Sequence, residues 1–402
     1  MYQKIINEKE FIALFALLTS LTALSIDAVL PAFPAISKTL QFSNYQNTQL
    51  IISALILGMA GGELFFGPLS DAIGRIKAIM LGIIIYLIGS ALCLMATDLD
   101  SLLMGRVIQG VGLAGPKIAS RALIRDLYKG AAMARIMSFV MMVFILVPML
   151  APIFGQFLLS ISDWRGIFWA FIVQAVFAGG WLIFRQEETL DPSKRIPFSF
   201  KTVGITSLWI LKHKIVMCYT VTAGITFGGM MLYLSTAQSI FQDLYQTGDT
   251  FPYYFALFAL GIGSAGLING KLVIRFGMYS LTRVSLFVMT GASLSLLIMS
   301  LFYGGVPPFY YFLALGMIMF FCKGFLFGNI NAMAMEHLGK IAGIGASIIA
   351  SVSSLIAILM SYTVGRFYND SLIPLATGFL LSAISALILI EIAARIRASG
   401  EV

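Results

Sequence analysis

Charge is the scarcest property of this chain. Asp, Glu, Lys and Arg together make up 11% of its 402 residues, against roughly 25% in a soluble globular domain. That deficit excludes an ordinary soluble fold. Histidine is nearly missing, with two in the chain, and cysteine is sparse, with three. His213 and His337 are read as lying far apart, and Cys93, Cys218 and Cys322 each fall inside an apolar run. The expectation is no metal site, and cysteines that pack instead of pairing. A phosphate-binding loop and a nucleophile beside a base are also missing, so no enzyme and no cofactor are expected.

What the chain has instead is hydrophobic residues, at 59%. One apolar run of about 20 residues follows another, each long enough to cross roughly 30 Å of hydrocarbon. About twelve spans are expected, near residues 11–33, 47–68, 77–96, 102–122, 136–159, 166–184, 215–237, 253–273, 284–303, 309–332, 342–364 and 372–393. The first outruns an apolar signal core and is read as a retained span. The net charge is +8. In a lipid-bilayer protein this excess marks cytoplasmic loops and does not imply a nucleic-acid partner. With the N-terminus cytoplasmic, nearly all loop lysines and arginines fall on one side. Only Lys38, Arg165 and Arg366 fall on the other, so both termini are expected in the cytoplasm.

The longest polar segment, "RQEETLDPSKRIPFSFKTVG", lies between the sixth and seventh spans. It suggests an N-terminal six-helix half (1–184), a cytoplasmic linker (185–214) and a C-terminal six-helix half (215–402). A faint repeat supports the division. "GPLSDAIGR" from Gly67 aligns with "GKLVIRFGM" from Gly270, each after the second span of its half. Two parallel halves are a known transporter design.

Chemistry concentrates in the few polar groups within the apolar runs. "LTALSIDAVLPAFPAI", Leu21 to Ile36, holds one acid, Asp27. A charge inside a span is expensive. Burial disfavours the ionised form of a carboxyl group, so one that is alternately wetted and dried can load and unload a proton. The alternative is that Asp27 only bonds backbone or pairs with a cation such as Arg106. Pro31 and Pro34 should bend the outer end of the span. Glu63 is either a second proton site or the partner of Lys117 or a loop arginine; the structural pair is favoured. Arg106 is either functional or reaches the nearby outer surface. Lys323, several turns from both surfaces, needs an acid, water or an anionic ligand.

"GELFFGPLSDAIGR", Gly62 to Arg75, marks a tight cytoplasmic turn. Its glycines allow close approach. Asp71 can accept from a helix N-terminus or pair with a cation, and Arg75 can clamp a carboxylate. With "MGRVIQGVGLAGPKIASRALIRDLY" (Met104 to Tyr128) and "VPMLAPIFGQF" (Val147 to Phe157), this stretch resembles signature motifs of the major facilitator superfamily. Ala72, Ile76 and Gln156 depart from the usual forms. "SIDAVLPAFPAI", "YLSTAQSIFQDLYQTG" and "GNINAMAMEHLGKIAGIGASIIASVSSL" extend the likeness to the Bcr/CflA-like branch of twelve-span drug:proton antiporters.

The resemblance implies an all-α membrane fold of twelve helices in two six-helix halves around a central cavity. It implies proton-coupled export of small amphipathic drugs or metabolites across a bacterial inner membrane, by alternating access. A same-fold importer or facilitator is the alternative. Protons would be the coupling ion, and the chain is read as a monomer. Asp27, Arg106 and Glu63 would serve proton coupling. Asp27, Arg106, Gln109, Tyr233, Gln238 and Lys323 would contact substrate. Gly67, Asp71, Gly74 and Arg75 would form a cytoplasmic latch, and Pro148, Pro152 and Gly155 an antiporter motif. The distribution of buried cations predicts that neutral, zwitterionic or anionic cargo is preferred over lipophilic cations.

Overall fold

A computed structural model describes residues 7–42, 45–128, 147–338 and 342–399. They are helical almost throughout, and by their contacts fall into two compact units, residues 1–204 and 205–402. Among the described residues, ten helices are long and apolar enough to cross a membrane. Two further segments complete the twelve expected spans. One is long but carries more charge, and the other is the C-terminal part of the fifth span, whose earlier residues lie outside the described ones.

In the first unit, α1 (Glu8–Asp27) starts where the Asn7 side chain accepts from Lys9 N at 3.2 Å. It ends at Asp27. A 3-10 turn (Leu30–Ala32) and the short α2 (Phe33–Thr39) follow, with prolines early in each. The two rings remove backbone donors where the helix would have continued. Then come α3 (Tyr45–Ile73), α4 (Arg75–Leu94), α5 (Leu99–Leu127), α6 (Val147–Ile161) and α7 (Arg165–Arg185). α5 opens with a reciprocal cap. Asp98 accepts from Ser101 N at 2.8 Å, and Ser101 Oγ accepts from Asp98 N at 3.4 Å. That backbone donor, with help from the Thr97 and Ser101 hydroxyls, holds the Asp98 carboxyl below its ordinary value.

α5 packs on both α3 and α4, and small residues make this possible. A Cβ on Gly110 would fall 2.0 Å from Leu55 O, and one on Gly112 would fall 2.2 Å from Tyr86 N. Backbones this close leave no room for a side chain. The polar residues of α5 are thereby fixed among three helices.

The second unit holds α9 (Lys214–Gln238), α10 (Phe251–Phe276), α11 (Met278–Phe302), α12 (Phe309–Glu336), α13 (Ala342–Gly365) and α14 (Ile373–Ser399). α9 packs on α13, α14 and α12, and α12 also packs on α10 and α11. α9 runs on into a π-helical turn, Ser239–Leu244. The stretch expected as a linker contains its own helix, α8 (Phe200–Lys212).

The faint repeat has a backbone counterpart. Gly74 joins α3 to α4 at φ 108°, ψ 159°, and Gly277 joins α10 to α11 at φ 77°, ψ 157°. Both aligned glycines adopt a conformation open to residues without a Cβ. The same tight junction is built twice.

Candidate functional site

The candidate residues are divided between the two units, and in the first they lie in separate sets of contacts. In the first, Asp27 is the last α-helical residue before the break and is 4% exposed. Its Oδ1 is buried with no hydrogen-bond partner, and no ion pair among the described residues includes it. The backbone beside it is crowded. A Cβ on Gly155 would lie 2.0 Å from Ala28 O, so α6 crosses α1 one residue past the acid. Pro148 and Pro152 lie on the same stretch of α6, and Pro152 is buried.

Arg106 is fully buried. Its guanidinium donates to Ser25 O at 2.8 Å, Ile51 O at 3.2 Å and Gln109 Oε1 at 2.7 Å. Gln109 Nε2 donates to Ser90 Oγ at 2.8 Å, which donates to Tyr86 O at 2.8 Å. Tyr86 Oη and Ser25 Oγ are hydrogen-bonded at 2.7 Å. Arg106 therefore ties α5 to α1 and α3 through carbonyls, and to α4 through Gln109. It neither reaches the outer surface nor pairs with Asp27. Hydrogen bonds to a charged group contribute about 1.5–3 kcal/mol each, so the guanidinium is well held without an acid.

Glu63, fully buried on α3, forms an ion pair with Lys117 on α5. Lys117 is partly exposed, and Glu63 Oε2 has no partner among the described residues.

The Gly67–Arg75 stretch is a network around Arg75. Its guanidinium donates to Ser70 Oγ at 2.8 Å and to Asp126 Oδ2 at 2.8 Å, and it pairs with Asp71. The acid at the helix N-terminus is not Asp71. It is Glu188, beyond α7, whose Oε1 accepts from Arg75 N at 2.8 Å and whose Oε2 accepts from Ile76 N at 3.1 Å. These donors have no acceptor within the helix, and the carboxylate also complements the positive end of α4. Glu188 Oε1 accepts further from Thr189 N and Leu190 N at 3.0 and 3.1 Å, and Ile196 N donates to Asp71 O at 3.1 Å. The segment after α7 is thus strapped to the α3–α4 turn. Gly74 leaves the room, because a Cβ there would fall 2.3 Å from Glu188 Oε2.

In the second unit, Lys323 on α12 is 4% exposed and donates to Thr226 O on α9 at 3.0 Å. Its Nζ lies 4.9 Å from the Phe379 ring centre. Tyr233 sits among rings, with centroids 4.6 Å from Phe320 and 5.7 Å from both Phe255 and Phe258. Gln238 donates from Nε2 to Gln242 Oε1 at 2.9 Å, where α9 passes into the π-helical turn.

The histidines correct the reading that they lie far apart. His213 caps α9 and His337 follows α12, and their rings are 5.8 Å apart. Separation along the chain sets no distance between helix ends. Burial and the neighbouring His337 hold His213 below its ordinary value.

Sequence reasoning did not single out Asp126 or Glu188. The available signal for Glu188 was an acid run, "EE", just beyond a span on the side of the basic turn.

The comparisons with known proteins agree with this architecture. The sequence profile of the Major Facilitator Superfamily matches residues 15–362. A bicyclomycin resistance protein homolog of Haemophilus influenzae is 28% identical over 370 residues, 91% of each chain. The multidrug resistance protein MdtL of Salmonella typhi is 25% identical over 299 residues, 72% of this chain and 73% of that protein. The crystal structure of a D-xylose-proton symporter shares the fold at a TM-score of 0.75 and 14% identity, covering 94% of this chain and 97% of that one. The bicyclomycin relative agrees with the Bcr/CflA-like motifs. A multi-pass helical membrane protein matched by this profile over most of its length, the chain belongs to the major facilitator superfamily of transporters.

Proposed function

We propose that the chain exports small amphipathic compounds from the cytoplasm in exchange for protons, by alternating access, with Asp27 as the proton-carrying carboxyl. One observation carries the reading. Asp27 lies at the break in a membrane helix, buried, with an unsatisfied carboxyl oxygen and no ion partner among the described residues. Such a group is costly as a permanent anion. Arg106 forms no ion pair with it and donates instead to two backbone carbonyls and an amide. A carboxyl left unpaired beside a helix break is suited to exchange its proton when the surroundings change.

The names of the relatives, bicyclomycin resistance and multidrug resistance, support drug-like cargo and outward transport. The symporter's likeness shows the fold alone. Placement in a bacterial inner membrane as a monomer with cytoplasmic termini, and protons as the coupling ion, belong to the same proposal. Inside-out vesicles test it. An imposed gradient with the vesicle lumen acidic should drive uptake of an amphipathic compound as protons leave, and a protonophore should abolish that uptake. Concentrative uptake into right-side-out vesicles under an outside-acid gradient would instead establish an importer.

A further inference from the structure

Each unit buries one cation on its fourth long helix and aims it at a backbone carbonyl of its first. Arg106 on α5 donates to Ser25 O of α1, and Lys323 on α12 donates to Thr226 O of α9. The two differ in how well they are satisfied. Arg106 has three acceptors. Lys323 has three N–H donors and one hydrogen bond among the described residues. No ion pair among the described residues includes it.

A second polar group is left open on Thr226, the same residue that supplies the carbonyl. Its Oγ1 is buried without a partner, in a side chain 6% exposed. Gly229, one turn on, gives the ammonium its space, since a Cβ there would lie 3.2 Å from Nζ. The surroundings are aromatic. Phe379 faces Nζ, and Phe320, one turn before Lys323, stacks with Phe258 at 4.9 Å and meets Tyr233 edge-on. Buried donors without acceptors are rare in folded proteins and call for an explanation.

We infer that Lys323 and Thr226 form a subsite for the carboxylate of an aromatic, amphipathic compound. The inference rests on the exporter reading for its biological sense, but not for its geometry. An ammonium and a hydroxyl supply two donors, which match the two oxygens of a carboxylate. A phosphate's second charge would go without a second cation. A cationic head group would meet Lys323 at the cost of like-charge repulsion in a site that excludes water. A polyhydroxylated ligand would leave most of its own groups unpaired against the rings. The flat apolar body of the ligand would lie against Tyr233, Phe258, Phe320 and Phe379, which are buried on one another and must part to admit it.

The test uses the full chain in lipid nanodiscs and three probes of one skeleton: 2-naphthoate, 2-naphthamide and 2-naphthylmethylammonium. Equilibrium dialysis, corrected with empty discs, gives their affinities without any proton gradient. Naphthoate should bind about tenfold tighter than the amide, and the ammonium weakest. Lys323→Gln should bring acid and amide to within about twofold, Lys323→Arg should keep the preference, and Thr226→Val should weaken the acid alone. The parent's preference needs no variant, so a misfolded Lys323→Gln leaves the test intact. Equal affinities in the parent, no binding by any probe, or a preference that survives Lys323→Gln overturns the subsite. Lys323-dependent naphthoate binding without gradient-driven transport sinks the exporter reading alone. Gradient-driven export with no carboxylate preference sinks the subsite alone.

Discussion

Replacing Glu188 with alanine should unfasten the start of α4 while leaving the rest of the first unit folded. Arg75 N and Ile76 N lie in the first turn of the helix, where no helical carbonyl reaches them, and each donates to Glu188. Loss of a capping acceptor costs about 0.5–2 kcal/mol. Loss of the negative charge at the helix N-terminus adds about 0.3–1 kcal/mol. The sum, about 1–3 kcal/mol, corresponds to roughly 5- to 150-fold faster local opening. Hydrogen–deuterium exchange resolved at these two amides measures it directly. Glu188→Gln refines the test. Its single carbonyl oxygen can keep the three donors now shared by Oε1, and the NH2 cannot replace Oε2. Ile76 should lose protection and Arg75 should largely keep it. Unchanged exchange at both amides in the alanine variant would refute the strap.

Three further outcomes follow from particular contacts. Gly155→Ala places a methyl against Ala28 O, so it should lower the melting temperature and impair transport, at an overpacking cost of about 1–3 kcal/mol. Gly180→Ala, with open space around it, should behave as the parent in the same melting and efflux assays. His213 is held below its ordinary 6.5, so in acid the unfolded chain takes up the proton first and stability falls as pH drops from about 6.5 downward. His213→Asn keeps a side-chain acceptor for the cap without titrating, and melting curves between pH 8 and 5.5 should show a shallower decline for it than for the parent.

The spans were legible because hydrocarbon imposes one requirement on every residue in a run: helices of sufficient length with few charges. α5 breaks that requirement with Arg106, Gln109 and Lys117, and its glycines admit the neighbours that enclose those groups. The break after Asp27 was written in Pro31 and Pro34. Contacts between distant segments were not legible. Glu188 lies 113 residues from Arg75 along the chain, and its role depends on where the end of α7 arrives. "RQEETL" alone is an ordinary charged loop. The histidine pair was missed for the same reason, since the ends of α8 and α12 meet only in the folded second unit. Arg106 was singled out as costly, but composition could not say that carbonyls and an amide, not an acid, would satisfy it.

The central claim is that Asp27 carries the proton that cargo displaces. The direct measurement is proton release from purified protein in weakly buffered solution when a saturating amphipathic ligand is added, the ligand being chosen by its ability to raise the melting temperature. The parent should release protons on binding, and Asp27→Asn should bind the ligand and release none. A variant that binds and releases as many protons as the parent would contradict the account.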